Sequence, residues 1–277
     1  MDMITMLAII TVVYFTALFF LCLYREEINI KIGNLIFVIL DVIFFFCWML
    51  AMHPKGWLDD GFETLENISP LMFTLIPLTY VMKGKVRDCC FSTIALLSVG
   101  MFVAIYVSPE YEYVVAFRRE ADFLYTSEAI CHMICSLFGA YLVLTNQVKP
   151  NFSSWIKSII FLYSIITYAV VLNFAFHKSF FGMDPYGDYS IYMIDIFGSF
   201  EATLVAFYIG VLLVLTIGMQ IAALLDKLAS HKFIETFRHH KEKTAPIGEG
   251  EAPQINQTEL PQTNELEESE KTDVQTE

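Results

Sequence analysis

With 277 residues, 56% of them apolar and 15% aromatic, this chain is too apolar for an ordinary soluble domain. Its net charge of −13 does not point to a basic partner, because residues 244–277 hold nine acidic residues against Lys271 alone. The acidity belongs mainly to a tail, and no basic face of the kind nucleic acids require is present.

A bilayer needs about 20 mostly apolar residues per helix. Read in chain order, the sequence predicts an all-α bundle of about seven spans at 4–23, 35–52, 63–82, 89–108, 124–145, 159–176 and 191–225. The first span starts near the N-terminus but lacks a basic n-region and a small-x-small cleavage site, so it is read as a span and no cleaved signal is expected. The last is longer than a bilayer requires, and residues 191–200 are open to reading as an interfacial piece. Basic residues fall on alternate connections. One side carries Arg25 and Lys31, then Lys83, Lys85 and Arg87, then Lys149 and Lys157, then Lys227, Lys232, Arg238, Lys241, Lys243 and Lys271; the other has Lys55, Arg118, Arg119 and Lys178. Cytoplasmic loops are enriched in Lys and Arg, so the expectation is a multi-pass plasma-membrane protein with its N-terminus outside and its C-terminus in the cytoplasm.

Three units follow: a transmembrane domain (1–225), a juxtamembrane basic and apolar segment (226–243) suited to anionic lipid headgroups, and an acidic tail (244–277) too poor in large apolar groups to fold. The tail is a candidate site for a cytoplasmic protein partner. Its Leu260, Pro261, Gln262, Thr263 and Asn264 resemble a sortase signal, but an acidic stretch follows where an apolar span would be needed. Sequons at Asn67, Asn151 and Asn256 fall too near the membrane or on the inward side. The six cysteines lie in or at the edge of spans, where thiols act as small apolar groups; Cys89 and Cys90, behind Lys83, Lys85 and Arg87, are also compatible with S-palmitoylation.

Polar groups inside spans are the informative ones, since a charge near the bilayer centre costs on the order of 2.5–3.5 kcal/mol. Glu128, Cys131, His132 and Cys135 follow an i, i+3, i+4, i+7 spacing that puts them on one face of span five. Glu128 and His132 are the candidate catalytic pair, with two alternatives open: a proton-exchanging or soft-metal site, and an interhelical hydrogen-bond seam. On the expected topology His132 lies about 12 Å beyond Leu124. Glu63 and Glu66 at the mouth of span three, with Asp195 and Glu201 near the mouth of span seven, would share that outer half. These, with Asn173 near the end of span six, are the candidate binding residues of an outward-facing polar cavity. Asp41 stands apart in span two with no basic residue on its own helix. No cofactor and no bound metal are expected.

Several short runs resemble the YwaF-like family of integral membrane proteins, a mostly bacterial group with animal relatives linked to lipid acyl transfer. They are Asn67, Ile68 and Ser69; Ser108 and Pro109; His132; Lys149 and Pro150 with 154–158; Asn173; and Asp195 with Gly198. Where the family has a leucine-histidine-leucine-cysteine string, this chain has Glu63, Thr64, Leu65 and Glu66. Where it has asparagine-tyrosine-methionine, Ser179, Phe180 and Phe181 stand. The resemblance therefore transfers His132 alone.

Three function classes remain. They are a lipid- or peptide-binding membrane partner, a membrane-embedded acyl-transfer or hydrolase-type enzyme, and a small ion-coupled carrier. The carrier lacks internal repeats and paired Gly- or Pro-broken helices.

Overall fold

The computed structural model describes residues 2–52, 68–107, 123–176, 180–183 and 188–230. The chain forms α1 (Met3–Tyr24), α2 (Ile30–Met52), α3 (Ile68–Val81), α4 (Gly84–Ala104), α5 (Phe123–Leu144) and α6 (Phe152–Phe176), then a 3₁₀ turn (Phe180–Gly182), α7 (Asp188–Phe197) and α8 (Phe200–Ala229). Six of these helices are long and apolar enough to cross a membrane, while α3 is described over 14 residues. The protein is an all-α, multi-pass membrane bundle.

Helix ends follow backbone hydrogen bonding more closely than they follow hydropathy. The Asp2 carboxylate caps α1, accepting the Thr5 hydroxyl at 2.6 Å and the Thr5 N–H at 2.9 Å. Those two bonds, the hydroxyl first, hold the Asp2 carboxyl below its ordinary value. Helices α2, α4 and α6 begin at Ile30, Gly84 and Phe152, well before the apolar windows do. Their first two turns carry Lys31, Lys85, Arg87 and Lys157, which end an apolar window without ending a helix, because a long cationic side chain can reach the interface.

The seventh apolar run is two helices. Gly198, at φ +85°, breaks the chain, and the Ser199 hydroxyl caps α8 by accepting the Ala202 N–H at 3.1 Å. Residues 191–197 of that run belong to α7, and α8 continues past 225 into the juxtamembrane segment.

The bundle is built around α5, which packs on α1, α2, α3, α4 and α8. Tyr125, Phe138, Tyr141 and Leu142 of α5 are fully buried, whereas α1, α2 and α8 turn Ile4, Phe46 and Val205 outward. In lipid such apolar faces are the solvated ones. Lipid gives no hydrophobic drive to helix association, so close approach and hydrogen bonds hold the helices together. A Cβ on Gly139 would sit 2.7 Å from the Ile94 carbonyl oxygen, and one on Gly218 would sit 1.8 Å from that of Leu96. Polar seams add to this: Tyr14 to Ser136 at 3.0 Å, Trp155 Nε1 to Thr216 at 3.1 Å, and Asn34 to Gln147 at 2.9 Å.

Candidate functional site

His132 lies near the middle of α5 and is 3% exposed. Both of its ring nitrogens are engaged. Nδ1 is 2.9 Å from the backbone carbonyl oxygen of Glu128, one turn back, and Nε2 is 2.8 Å from the Ser69 hydroxyl on α3. A carbonyl oxygen can only accept, so Nδ1 carries the ring proton. Nε2 then has a lone pair, and the Ser69 hydroxyl is the donor to it.

The surroundings fix this arrangement. The Phe73 ring, one turn beyond Ser69 on α3, meets the imidazole edge-on at 5.1 Å between centroids. Pro77 has no N–H for the Phe73 carbonyl, so α3 lacks one helical bond one turn beyond the site. Phe73 in turn meets Phe45 at 6.0 Å and Trp48 at 6.3 Å, both on α2. The pair therefore sits where α2, α3 and α5 pack together. Ser69 is half-buried and His132 is buried.

The spacing of Glu128 and His132 correctly places them one turn apart, but it is the Glu128 backbone, rather than its carboxylate, that holds Nδ1. Cys131 and Cys135 are buried at 0% exposure in the core that α5 shares with its neighbours. Among the described residues, no group of three or more His, Cys, Asp or Glu side chains could hold a metal ion.

The other candidates are dispersed. Glu63 and Glu66 lie outside the described residues. Asp195 is exposed on α7 and Glu201 is exposed in the first turn of α8, and no hydrogen bond or ion pair among the described residues joins either to His132. Asn173, 1% exposed, spends its amide on the chain that follows α6. It donates to the carbonyls of Phe180 at 2.9 Å and Met183 at 2.8 Å, and accepts the Phe180 N–H at 2.8 Å. This clamp holds Phe181 at φ 54°, a left-handed conformation unfavourable for a bulky side chain. A groove of about 400 Å³ is lined from α4 and α6, by residues including Lys85, Cys89, Phe161 and Tyr168, and not from the helices that hold His132.

Ser69 is the residue that sequence reasoning passed over. It stands in the Asn67, Ile68, Ser69 run, but it is remote in sequence from His132, and only the packing of α3 on α5 brings the two together. No family model matches this chain, and no curated protein or solved structure matches it either.

Proposed function

We propose that this protein is a membrane-embedded acyl-transfer or hydrolase-type enzyme acting on a lipid ester, with Ser69 as nucleophile and His132 as general base. One observation carries the reading: the Ser69 hydroxyl is 2.8 Å from a lone-pair nitrogen of an imidazole whose other nitrogen is held at 2.9 Å by a main-chain carbonyl. Nucleophile, base and an orienting group in sequence are the signature of an activated hydroxyl. Its position among membrane-crossing helices favours a substrate that arrives through the lipid; from the YwaF-like resemblance only His132 carries over, as the base.

In this mechanism Ser69 Oγ attacks the ester carbonyl carbon while its proton passes to His132 Nε2. The resulting imidazolium is stabilised by the Nδ1–H bond to Glu128 O. Collapse of the tetrahedral intermediate expels the alcohol, which takes the proton back from Nε2 and leaves an acyl-serine. Water or a second alcohol, deprotonated by the same nitrogen, then releases the acyl group. We place the N-terminus outside and the tail in the cytoplasm of the plasma membrane, with the acidic tail available to a protein partner.

A long-chain alkyl fluorophosphonate reacts with activated serines and tests the reading directly. Intact-mass measurement on the detergent-solubilised protein should show one adduct, located on Ser69 by peptide mapping. Ser69→Ala should abolish it, and His132→Gln should slow it by about 10² to 10⁴-fold. A protein that only binds lipid, or uses the pair as a packing seam, would give no adduct at Ser69, and that result would remove the enzymatic proposal.

A further inference from the structure

A groove of about 400 Å³ runs between the first two turns of α4 and the middle of α6. Ile160 and Tyr168 on its α6 side are 61% and 60% exposed, so it is open to whatever surrounds the bundle. Its lining is almost wholly apolar. Phe161 and Ile165 contribute from α6, and the hydroxyl between them, on Ser164, donates to its own helix at the Ile160 carbonyl oxygen, 2.6 Å away. A hydroxyl so committed offers an occupant no free donor. Both helices are long and apolar enough to cross the membrane, which limits the occupant to a lipid or another membrane helix. A helix about 10 Å across fills roughly 400 Å³ in a single turn of about 5.4 Å, so the groove has room for no more than that one turn. An acyl chain is the slender alternative.

The α4 end of the groove carries charge. Lys85 lines it from the first turn of a helix of 21 residues. At 1.5 Å per residue α4 is about 31 Å long, close to the thickness of the hydrocarbon core, so its first turn lies at the level of the headgroups. Lys83 and Lys85 are exposed, and among the described residues neither is in an ion pair. The first turn of α4 holds no acidic residue, and Lys83 at its N-cap makes no side-chain cap hydrogen bond. The helix therefore presents its positive end without the usual compensating oxygen. The nearest acid in sequence, Asp88, is exposed one turn further on. Cys89, four residues beyond Lys85 and so on the same face, continues the wall. Arg87 takes no part, since its guanidinium stacks on Phe91 at 4.7 Å, whose ring meets Phe138 of α5.

We propose that this groove binds an anionic phospholipid, with one acyl chain lying along Phe161 and Ile165 and the headgroup phosphate at Lys85 and the first-turn N–H groups of α4. The site is separate from Ser69 and His132 and stands whether or not that pair is catalytic. Charge selects the headgroup. A zwitterionic lipid brings a cation of its own to a place that already has Lys83 and Lys85, whereas a headgroup of net negative charge neutralises them. On the topology proposed above, the start of α4 faces the cytoplasm, the side whose leaflet carries the negative surface potential of anionic lipid.

Native mass spectrometry of the full-length protein in detergent tests this with two probes of identical chains, dioleoylphosphatidylserine and dioleoylphosphatidylcholine. Wild type should retain a single phosphatidylserine, with a preference of about fivefold or more over phosphatidylcholine, the worth of a cation near the headgroup. Lys85→Gln should bring the two lipids close to parity. Lys31→Gln, which removes an exposed cation of α2 outside the groove, should leave the preference intact. Ser164→Trp fills the groove from an exposed position and should abolish retention of both lipids, with helicity by circular dichroism unchanged. Equal retention of the two probes by wild type overturns the proposal without any variant having to fold. So does a preference that survives Lys85→Gln, or one that falls as far in Lys31→Gln and therefore belongs to the basic surface at large. Retention that persists in Ser164→Trp, or an acyl adduct on Cys89 in the intact mass, overturns it too, because the lipid then lies elsewhere or the groove is filled by the protein's own acyl group.

Discussion

Two kinds of buried polar side chain occur in this bundle, and they are arranged in opposite ways. His132 and Asn173 have every strong hydrogen-bonding group of the ring or amide matched within the chain, to Glu128 O and Ser69 in one case and to Phe180 and Met183 in the other. Asp41, as deeply buried, is matched to nothing described. The first arrangement is what a fold does with polarity it uses to define its own shape. The second is polarity kept at a standing cost, which natural sequences tend to tolerate at sites of function.

One substitution, polar to leucine, tests that contrast by the sign of its effect on thermal stability in detergent. Asn173→Leu should be the most damaging. Interhelical hydrogen bonds in membranes average about 0.6 kcal/mol with a maximum near 1.7, but here three bonds go at once and Phe181 loses the clamp on its left-handed backbone, so a loss of about 2–4 kcal/mol is expected. His132→Leu should cost about 1–2 kcal/mol, because it strands the Ser69 hydroxyl and the Glu128 carbonyl. Asp41→Leu should do the reverse and stabilise by about 1–2 kcal/mol, since it replaces an unmatched buried group by an apolar one of similar size. If Asp41→Leu melts lower than wild type, Asp41 belongs with the first kind and the contrast fails. The smallest effect should come from Arg25→Met. Its contacts to Glu26 at 3.6 Å and Asp226 at 4.0 Å involve exposed partners, so less than about 1 kcal/mol is expected.

The apolar runs of this sequence announce a membrane bundle, and the structure agrees, because burial in lipid imposes a composition that hydropathy reads directly. Helix starts were less legible. Lys31, Lys85 and Lys157 interrupt hydropathy but not the backbone ladder. Of the site, the Glu128–His132 relation was legible because neighbours one turn apart on a helix are a matter of counting. Which atom of Glu128 meets the ring was not, since the carboxylate and the carbonyl share one residue letter. Ser69 was invisible for a different reason: its bond to His132 depends on how α3 leans on α5, and no local spacing encodes that. Asp41 was visible as an anomaly from its letter alone, but its lack of partners emerged only once α3 and α5 were packed beside it.

The bond from His132 Nδ1 to a main-chain carbonyl also limits what the histidine can do as a carrier of charge. A relay must accept a proton at one ring nitrogen and surrender one at the other, so both sides need groups able to give and take. An amide carbonyl does neither at ordinary pH. While that bond persists, protons enter and leave His132 only through Nε2, on the Ser69 side, and the residue is a terminus of any proton path rather than a stage along it. A carrier that moved protons past this point would first have to turn the ring, breaking both of its hydrogen bonds together.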